Sequence, residues 1–290
     1  MLQVARLAPK LLGESSDLVR GFVCSQLRPD GGFAGRDGSS DLYYTVFALQ
    51  ALVALQADIP AADVRRFLIP HESGAALDFV HLASLARCWA MLPPPRLDAR
   101  PVDVLLSRLE EHRSADGGYH ARRGAAHGTA YDAFLAVGAY QDLGRPVPDP
   151  VALAESVAAL RAADGGYSNQ RDAPAGATPA TAAAVMVLRQ LDAPIPDGTG
   201  AWLLARCHPD GGFLAAPRAP MPDLLSTATA LHALAALRAP LTPIAERCLD
   251  FVDTLWVNRG AFFGTWADEQ PDCEYTYYGL LALGHLSLAV

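Results

Sequence analysis

The feature that most constrains this chain is that it repeats itself. Residues 29–52 read PDGGFAGRDGSSDLYYTVFALQAL, and residues 115–140 read ADGGYHARRGAAHGTAYDAFLAVGAY. Residues 163–188, ADGGYSNQRDAPAGATPATAAAVMVL, and 208–234, HPDGGFLAAPRAPMPDLLSTATALHAL, follow the same order. Each copy opens on Asp-Gly-Gly-aromatic, crosses a loop and runs into a helical stretch with almost no charge. The turn aspartates, Asp30, Asp116, Asp164 and Asp210, stand 86, 48 and 46 residues apart. The first step is nearly double, so an eroded copy belongs between, and HESGAALDFVHLASLARCWAML at 71–92 occupies the expected place. A last copy, NRGAFFGTWADEQPDCEYTYYGLLALGHL, makes six units. A period of this length signals a repeat architecture whose units bury their faces against neighbours.

Each unit offers two kinds of helix. Before the glycines, stretches such as 16–27, 101–112, 150–162, 201–207 and 243–257 alternate charged and apolar residues at a helical period, as a helix with one wet face does. After the loop, stretches such as 43–55 and 224–237 are apolar nearly all round, which fits burial on both sides. The arrangement that satisfies both is a double ring, wet helices outside and dry ones inside. The expected fold is therefore all-α: a six-hairpin α/α toroid, one domain over 1–290, with essentially no sheet. The Gly-Gly pairs supply turn backbone after each outer helix. Asp41, Asp223 and Asp272 stand where the inner helices begin and are expected to be N-caps.

Composition narrows the partners. Half the chain is hydrophobic (51%), which supplies ample core, and the net charge of −8 has no basic cluster to suggest nucleic acid. No apolar run reaches the ~18 residues of a membrane span, and the first residues lack a signal-peptide core. Five cysteines without CxxC spacing read as reduced thiols, and the expected location is cytoplasmic.

The PDGGF…D-x-x-x-T-x-x-x-x-x-AL pattern, spread over nearly the whole chain, resembles the prenyltransferase and squalene-oxidase repeat. That repeat builds the β subunits of protein prenyltransferases and the β domains of squalene–hopene and class II diterpene cyclases. The resemblance implies a barrel that binds an isoprenoid or other hydrophobic small molecule, and leaves open a helical protein partner of the kind that prenyltransferase β subunits have. Inner-helix N-termini gathered at one mouth would favour an anionic head group. Tyr43, Tyr44, Tyr131, Tyr275 and Tyr278 are the expected substrate-lining residues. His127 resembles the diphosphate-contacting His of the transferases, and Arg218, with Arg122 and Arg123, would add charge.

Reaction type divides the family. The transferases hold zinc with an Asp and a Cys in the penultimate repeat and a His in the last. Here those positions are Asp223, Leu225 and Tyr275. One carboxylate is too few for a catalytic zinc, which takes three protein ligands, so zinc is not expected and no metal ligand is assigned. Magnesium would enter only with a diphosphate substrate. A rewired set, Asp272, Cys273 and His285, is the remaining metal option. Class II cyclases protonate an alkene with the middle Asp of Asp-x-Asp-Asp-Thr. Asp41–Thr45 and Asp223–Thr227 keep that frame without the acid, whereas Asp272-Cys-Glu-Tyr-Thr276 puts Glu274 in its place. Glu274 and Asp272 are thus the candidate catalytic pair, because a carboxyl in a dry cavity stays protonated and can act as a general acid. The leading expectation is a prenyltransferase-like enzyme on a prenyl diphosphate; the alternatives are a class II cyclase with Glu274 as its acid and a non-catalytic lipid-binding or heterodimerising scaffold.

Overall fold

The computed structural model describes residues 1–94 and 99–290. Two short helices, α1 (Leu2–Ala5) and α2 (Pro9–Leu12), precede the first repeat. Outer and inner helices then alternate: α3 (Ser15–Ser25) and α4 (Leu42–Ala54), α5 (Ala61–Leu68) and α6 (Phe79–Met91), α7 (Ala99–Glu110) and α8 (Ala130–Asp142). The second half continues with α9 (Pro150–Ala158) and α10 (Thr178–Gln190), α11 (Thr199–Leu204) and α12 (Leu224–Ala236), α13 (Thr242–Thr254) and α14 (Cys273–Leu286). Inner helices pack in chain order, α4 on α6, α6 on α8, α8 on α10, α10 on α12 and α12 on α14, and α14 returns to α4. The toroid is closed.

The Gly-Gly turns explain how the ring is held. Gly31 and Gly211 have φ of +99° and +89°, which a side chain would penalise. A Cβ at Gly31 would collide with the Asp63 carbonyl of α5, and one at Gly211 with the Arg247 carbonyl of α13. Each turn thus docks its backbone on the next outer helix. In the last repeat Gly260 meets Leu18 of α3, so the sixth turn closes on the first repeat.

The aromatic after each glycine pair is buried, and in three of the four its N–H is tied to a Thr of the inner helix. Phe33 N–H donates to Thr45 Oγ1 at 3.0 Å, Tyr167 N–H to Thr181 at 2.8 Å and Phe213 N–H to Thr227 at 2.9 Å. Thr45, Thr227 and Thr276 in turn donate to the carbonyl of their own cap residue. This is the physical content of the Gly-Gly-aromatic…Asp-x-x-x-Thr pattern: it satisfies a buried N–H and fixes where the inner helix starts. The Asp41, Asp223 and Asp272 side chains cap as expected, accepting from Tyr44, Ser226 and Tyr275 N–H.

Two details differ from the sequence reading. Several outer helices stop short of the amphipathic stretches, because Leu27, Arg113, Arg161 and Cys207 leave the helix to bridge to Phe33, Tyr119, Tyr167 and Phe213. Among the described residues strand is present only as three ribbons of paired two-residue strands, two of which, such as Phe33–Ala34 with Ser40–Asp41, join turn to cap. The eroded repeat supplies its inner helix, α6, with Phe79 and Trp89 buried. Its cap is Asp78, which the sequence reading passed over. Among the described residues no helix is long and apolar enough to cross a membrane.

Candidate active site

Counting from the caps shows which side chains face the barrel. The residue one past the cap is buried between helices: Leu42, Phe79, Ala130, Thr178, Leu224 and Cys273 are at most 3% exposed. The residue two past the cap turns inward in five of the six helices: Tyr43, Tyr131, Pro179, Leu225 and Glu274 line a common cavity of about 180 Å³. Phe134, Thr229 and Tyr278 form the wall a turn deeper, and Met186 and His232 lie below them. Glu274 is the one carboxylate in that lining among the described residues, and no lysine or arginine joins it.

Glu274 is buried, with a single side-chain hydrogen-bond partner. The Tyr43 hydroxyl donates to Glu274 Oε1 at 2.6 Å, which leaves the other oxygen to carry a proton. Burial raises the Glu274 carboxyl to about 7; the Tyr43 hydrogen bond opposes this, and the nearby Asp272 charge adds to it. Near neutrality the group is therefore divided between acid and carboxylate, as a general acid requires. Around it the rings pack closely, Tyr43 edge-on to Phe47 with centroids 4.9 Å apart and Phe47 tilted against Tyr278 at 5.4 Å.

Of the expected lining residues, Tyr43, Tyr131 and Tyr278 face the cavity. Tyr44 and Tyr275, three past their caps, do not line it. They fall behind the barrel wall, Tyr44 against Gly35 and Tyr275 against Gly264 with Arg36 stacked 5.4 Å above its ring. Asp272 is a cap whose second oxygen accepts from Arg36 Nε at 2.8 Å. It sits beside the acid and outside the cavity. His127 is a surface residue, 3.4 Å from Asp116 Oδ2 and 3.3 Å from Arg171 Nη1, and Arg218 is exposed on its loop. Neither lines the cavity. Arg123 is likewise engaged with Glu111 at 2.8 Å. An anionic head at this mouth would lack the cations expected for it.

The rewired metal set does not assemble. Asp272 and His285 lie at opposite ends of α14, about 20 Å apart at 1.5 Å per residue. Cys273 is fully buried between them, its thiol pushed up by desolvation. Among the described residues no three His, Cys, Asp or Glu side chains converge to hold a metal ion.

A family model for the prenyltransferase alpha-alpha toroid domain matches residues 5–69, 106–214 and 181–288, most of the chain. The chain belongs to this family. No functionally curated protein matches it. Among solved structures, a variant of the type II terpene cyclase MstE from Scytonema, in complex with geranylgeranyl dihydroxybenzoate, superposes with a TM-score of 0.64 at 12% identity. That match covers 97% of this chain and 98% of the other. A protein from Actinoplanes matches with a TM-score of 0.62 at 14% identity, over 95% and 98% of the two chains. Protein geranylgeranyltransferase-I from Candida albicans, complexed with GGPP, matches at 0.52 and 16% identity, over 99% of this toroid and 81% of that chain. At these identities the likeness is one of fold.

The toroid's inward residues were only partly legible. His232, on the cavity wall, went unremarked in the sequence. Its signal was present: it is a polar residue in an otherwise apolar stretch, seven residues after the inward Leu225 and so on the same helix face.

Proposed function

We propose that this toroid cyclises an isoprenoid by protonating one of its alkenes from Glu274. The observation that carries the reading is a lone carboxyl, raised to about 7, facing an apolar and aromatic cavity beside a phenol that hydrogen-bonds it. In the step, the Glu274 O–H proton adds to the less substituted carbon of a trisubstituted alkene, whose π pair forms the new C–H bond. The remaining carbon becomes a tertiary cation, and the π pair of the next alkene closes the ring onto it. Loss of a proton from the last cation restores a neutral hydrocarbon skeleton, and solvent returns the proton to Glu274. Tyr43 stabilises the carboxylate left behind. The faces of Tyr131, Phe134 and Tyr278 stabilise positive charge on the chain, and the apolar wall keeps out water that would quench it.

The transferase alternative, with a prenyl diphosphate held at the N-terminal mouth, has less support. It needs cations that the geometry puts elsewhere. That the cyclase MstE, of nearly equal length, takes a prenyl chain carried on dihydroxybenzoate accords with a substrate that has no diphosphate.

The test is incubation of purified protein with geranylgeraniol, geranylgeranyl dihydroxybenzoate and geranylgeranyl diphosphate, with products resolved by mass spectrometry. Cyclised isomers of an uncharged substrate, absent with Glu274→Gln, are expected. Transfer of the prenyl group with release of diphosphate, retained in Glu274→Gln, would overturn the reading. Binding of all three without turnover would make the toroid a lipid-binding scaffold.

A further inference from the structure

The inward register continues deeper into the barrel. Nine residues past the caps Asp41, Asp78, Thr129, Ala177 and Asp223 stand Gln50, Arg87, Gly138, Met186 and His232. All five line a second chamber, of about 430 Å³, which shares Met1, Phe134, Met186 and His232 with the first. The upper wall is apolar and aromatic, but this layer is polar in three of its five positions.

Three details suggest that the layer receives something. His232 Nδ1 lies 2.9 Å from His285 Nε2 of α14, so the two imidazoles share one N–H. The far nitrogen of His232, Nε2, is buried without a hydrogen-bond partner. A buried polar atom left unsatisfied costs stability and calls for a reason. Gln50, from α4, is only 5% exposed. Gly138 sits inside α8, where glycine weakens a helix, and a Cβ there would approach only Arg87 Nε, at 4.0 Å. The missing side chain leaves space in the layer.

We infer that this deeper layer, with His232 Nε2 as its principal contact, seats a hydroxyl or phenol oxygen at the head of the isoprenoid, so that the distal alkene lies at Glu274. The inference rests on the reading of the barrel as an isoprenoid site. Along α14, Glu274 and His285 are about 16 Å apart, which leaves an extended prenyl chain to span the apolar wall between acid and head. Both imidazoles are kept neutral: burial lowers His285 to about 4 and His232 further, with the N-terminal ammonium acting in the same direction. A neutral pair presents a donor or an acceptor at Nε2 according to which ring holds the shared proton, and a hydroxyl can answer either. Among the side chains of the layer the one cation, Arg87, already donates to Asp142 at 3.0 Å, and the inner helices turn their C-terminal, negative ends toward it. A diphosphate there would meet only the Met1 ammonium, itself held down by burial.

Equilibrium binding of three probes to the full chain tests this: geranylgeraniol, the hydrocarbon lacking its hydroxyl, and geranylgeranyl diphosphate. Wild type should prefer the alcohol to the hydrocarbon by about tenfold, and His232→Phe should erase that preference while holding the hydrocarbon to within about twofold. His232→Asn, which keeps a polar head, should retain part of the preference. The anchor is overturned if His232→Phe and His232→Asn weaken alcohol and hydrocarbon alike, or if the diphosphate binds most tightly. Failure of every probe to bind wild type would remove the isoprenoid reading itself, and this inference with it.

Discussion

The first turns of α12 and α14 are built on one frame and do different work. In both, an Asp caps the helix, an apolar residue follows it into the wall, and a Thr four residues on returns to the cap carbonyl. In both, the third residue of the frame points into the cavity. In α12 it is Leu225 and in α14 it is Glu274. The neighbouring carboxylates also diverge. Asp272 is tied by its own helix and by Arg36, whereas Glu274, two residues on, meets only the Tyr43 hydroxyl and an apolar wall. Scaffold and cavity lining are thus separable within one turn: the cap and Thr build the barrel, and the inward position differs between the two copies.

The sharpest way to break that comparison is Glu274→Gln. Turnover of a cyclisable substrate should fall by about 10²–10⁴-fold, while Asp272→Asn, which can still cap, keeps most of it. In the wild type, turnover should decline as pH rises through about 7, where Glu274 loses its proton. The sign for stability follows from the same shift. The folded carboxyl holds its proton up to about 7, whereas in the unfolded chain it ionises near 4.5, so its burial costs stability progressively between those values. Glu274→Gln should therefore match wild type at pH 4 in denaturant melts and exceed it at pH 8.

Tyr43→Phe sharpens the role of the phenol. Roughly tenfold should be lost from turnover, since the developing carboxylate loses one hydrogen bond. Because that bond holds the Glu274 carboxyl down, the alkaline limb of the pH profile should move upward. An unmoved limb would make Tyr43 a packing residue.

Thr227→Val and Thr276→Val probe the shared frame. The first strips Phe213 N–H of its acceptor, and about 1–3 kcal/mol of stability should go with it. The second should also destabilise, and neither should change turnover per folded molecule, measured after correcting for the native fraction. The smallest effect concerns His81, which bridges the caps of α4 and α6 through Asp41 at 3.1 Å and Asp78 at 2.8 Å. The bond to Asp41 is the leading cause that raises it to about 9. Its contribution is full below the ordinary histidine value and lost as pH passes 9. His81→Gln should cost under about 1 kcal/mol at pH 6 and nothing above that window.

Much of the scaffold could be read without coordinates. Copies of one unit named the outer and inner helices, and Asp41, Asp223 and Asp272 capped where they stood. The cavity lining was legible in part. Glu274 with Tyr43, Tyr131 and Tyr278 come together in it, whereas His127 and Arg218, chosen by likeness of a segment and by charge, do not line it. His232 and Gln50 were missed because each is a single polar residue inside an apolar run, where the usual expectation is core.

What the sequence determined by itself is the period, and with it a closed ring of helical hairpins. Repeats whose inner helices are apolar on all sides bury themselves by stacking, and where the end units are as apolar inside as the rest, the last is expected to meet the first. What the tertiary structure alone decided is which side of each inner helix faces the hollow. A helix that is apolar all round carries no internal mark of inside and outside. Docking of the Gly-Gly turns and the Thr-to-aromatic bonds set its rotation, and a shift of one residue, from Glu274 to Tyr275, separates the cavity from the wall behind it.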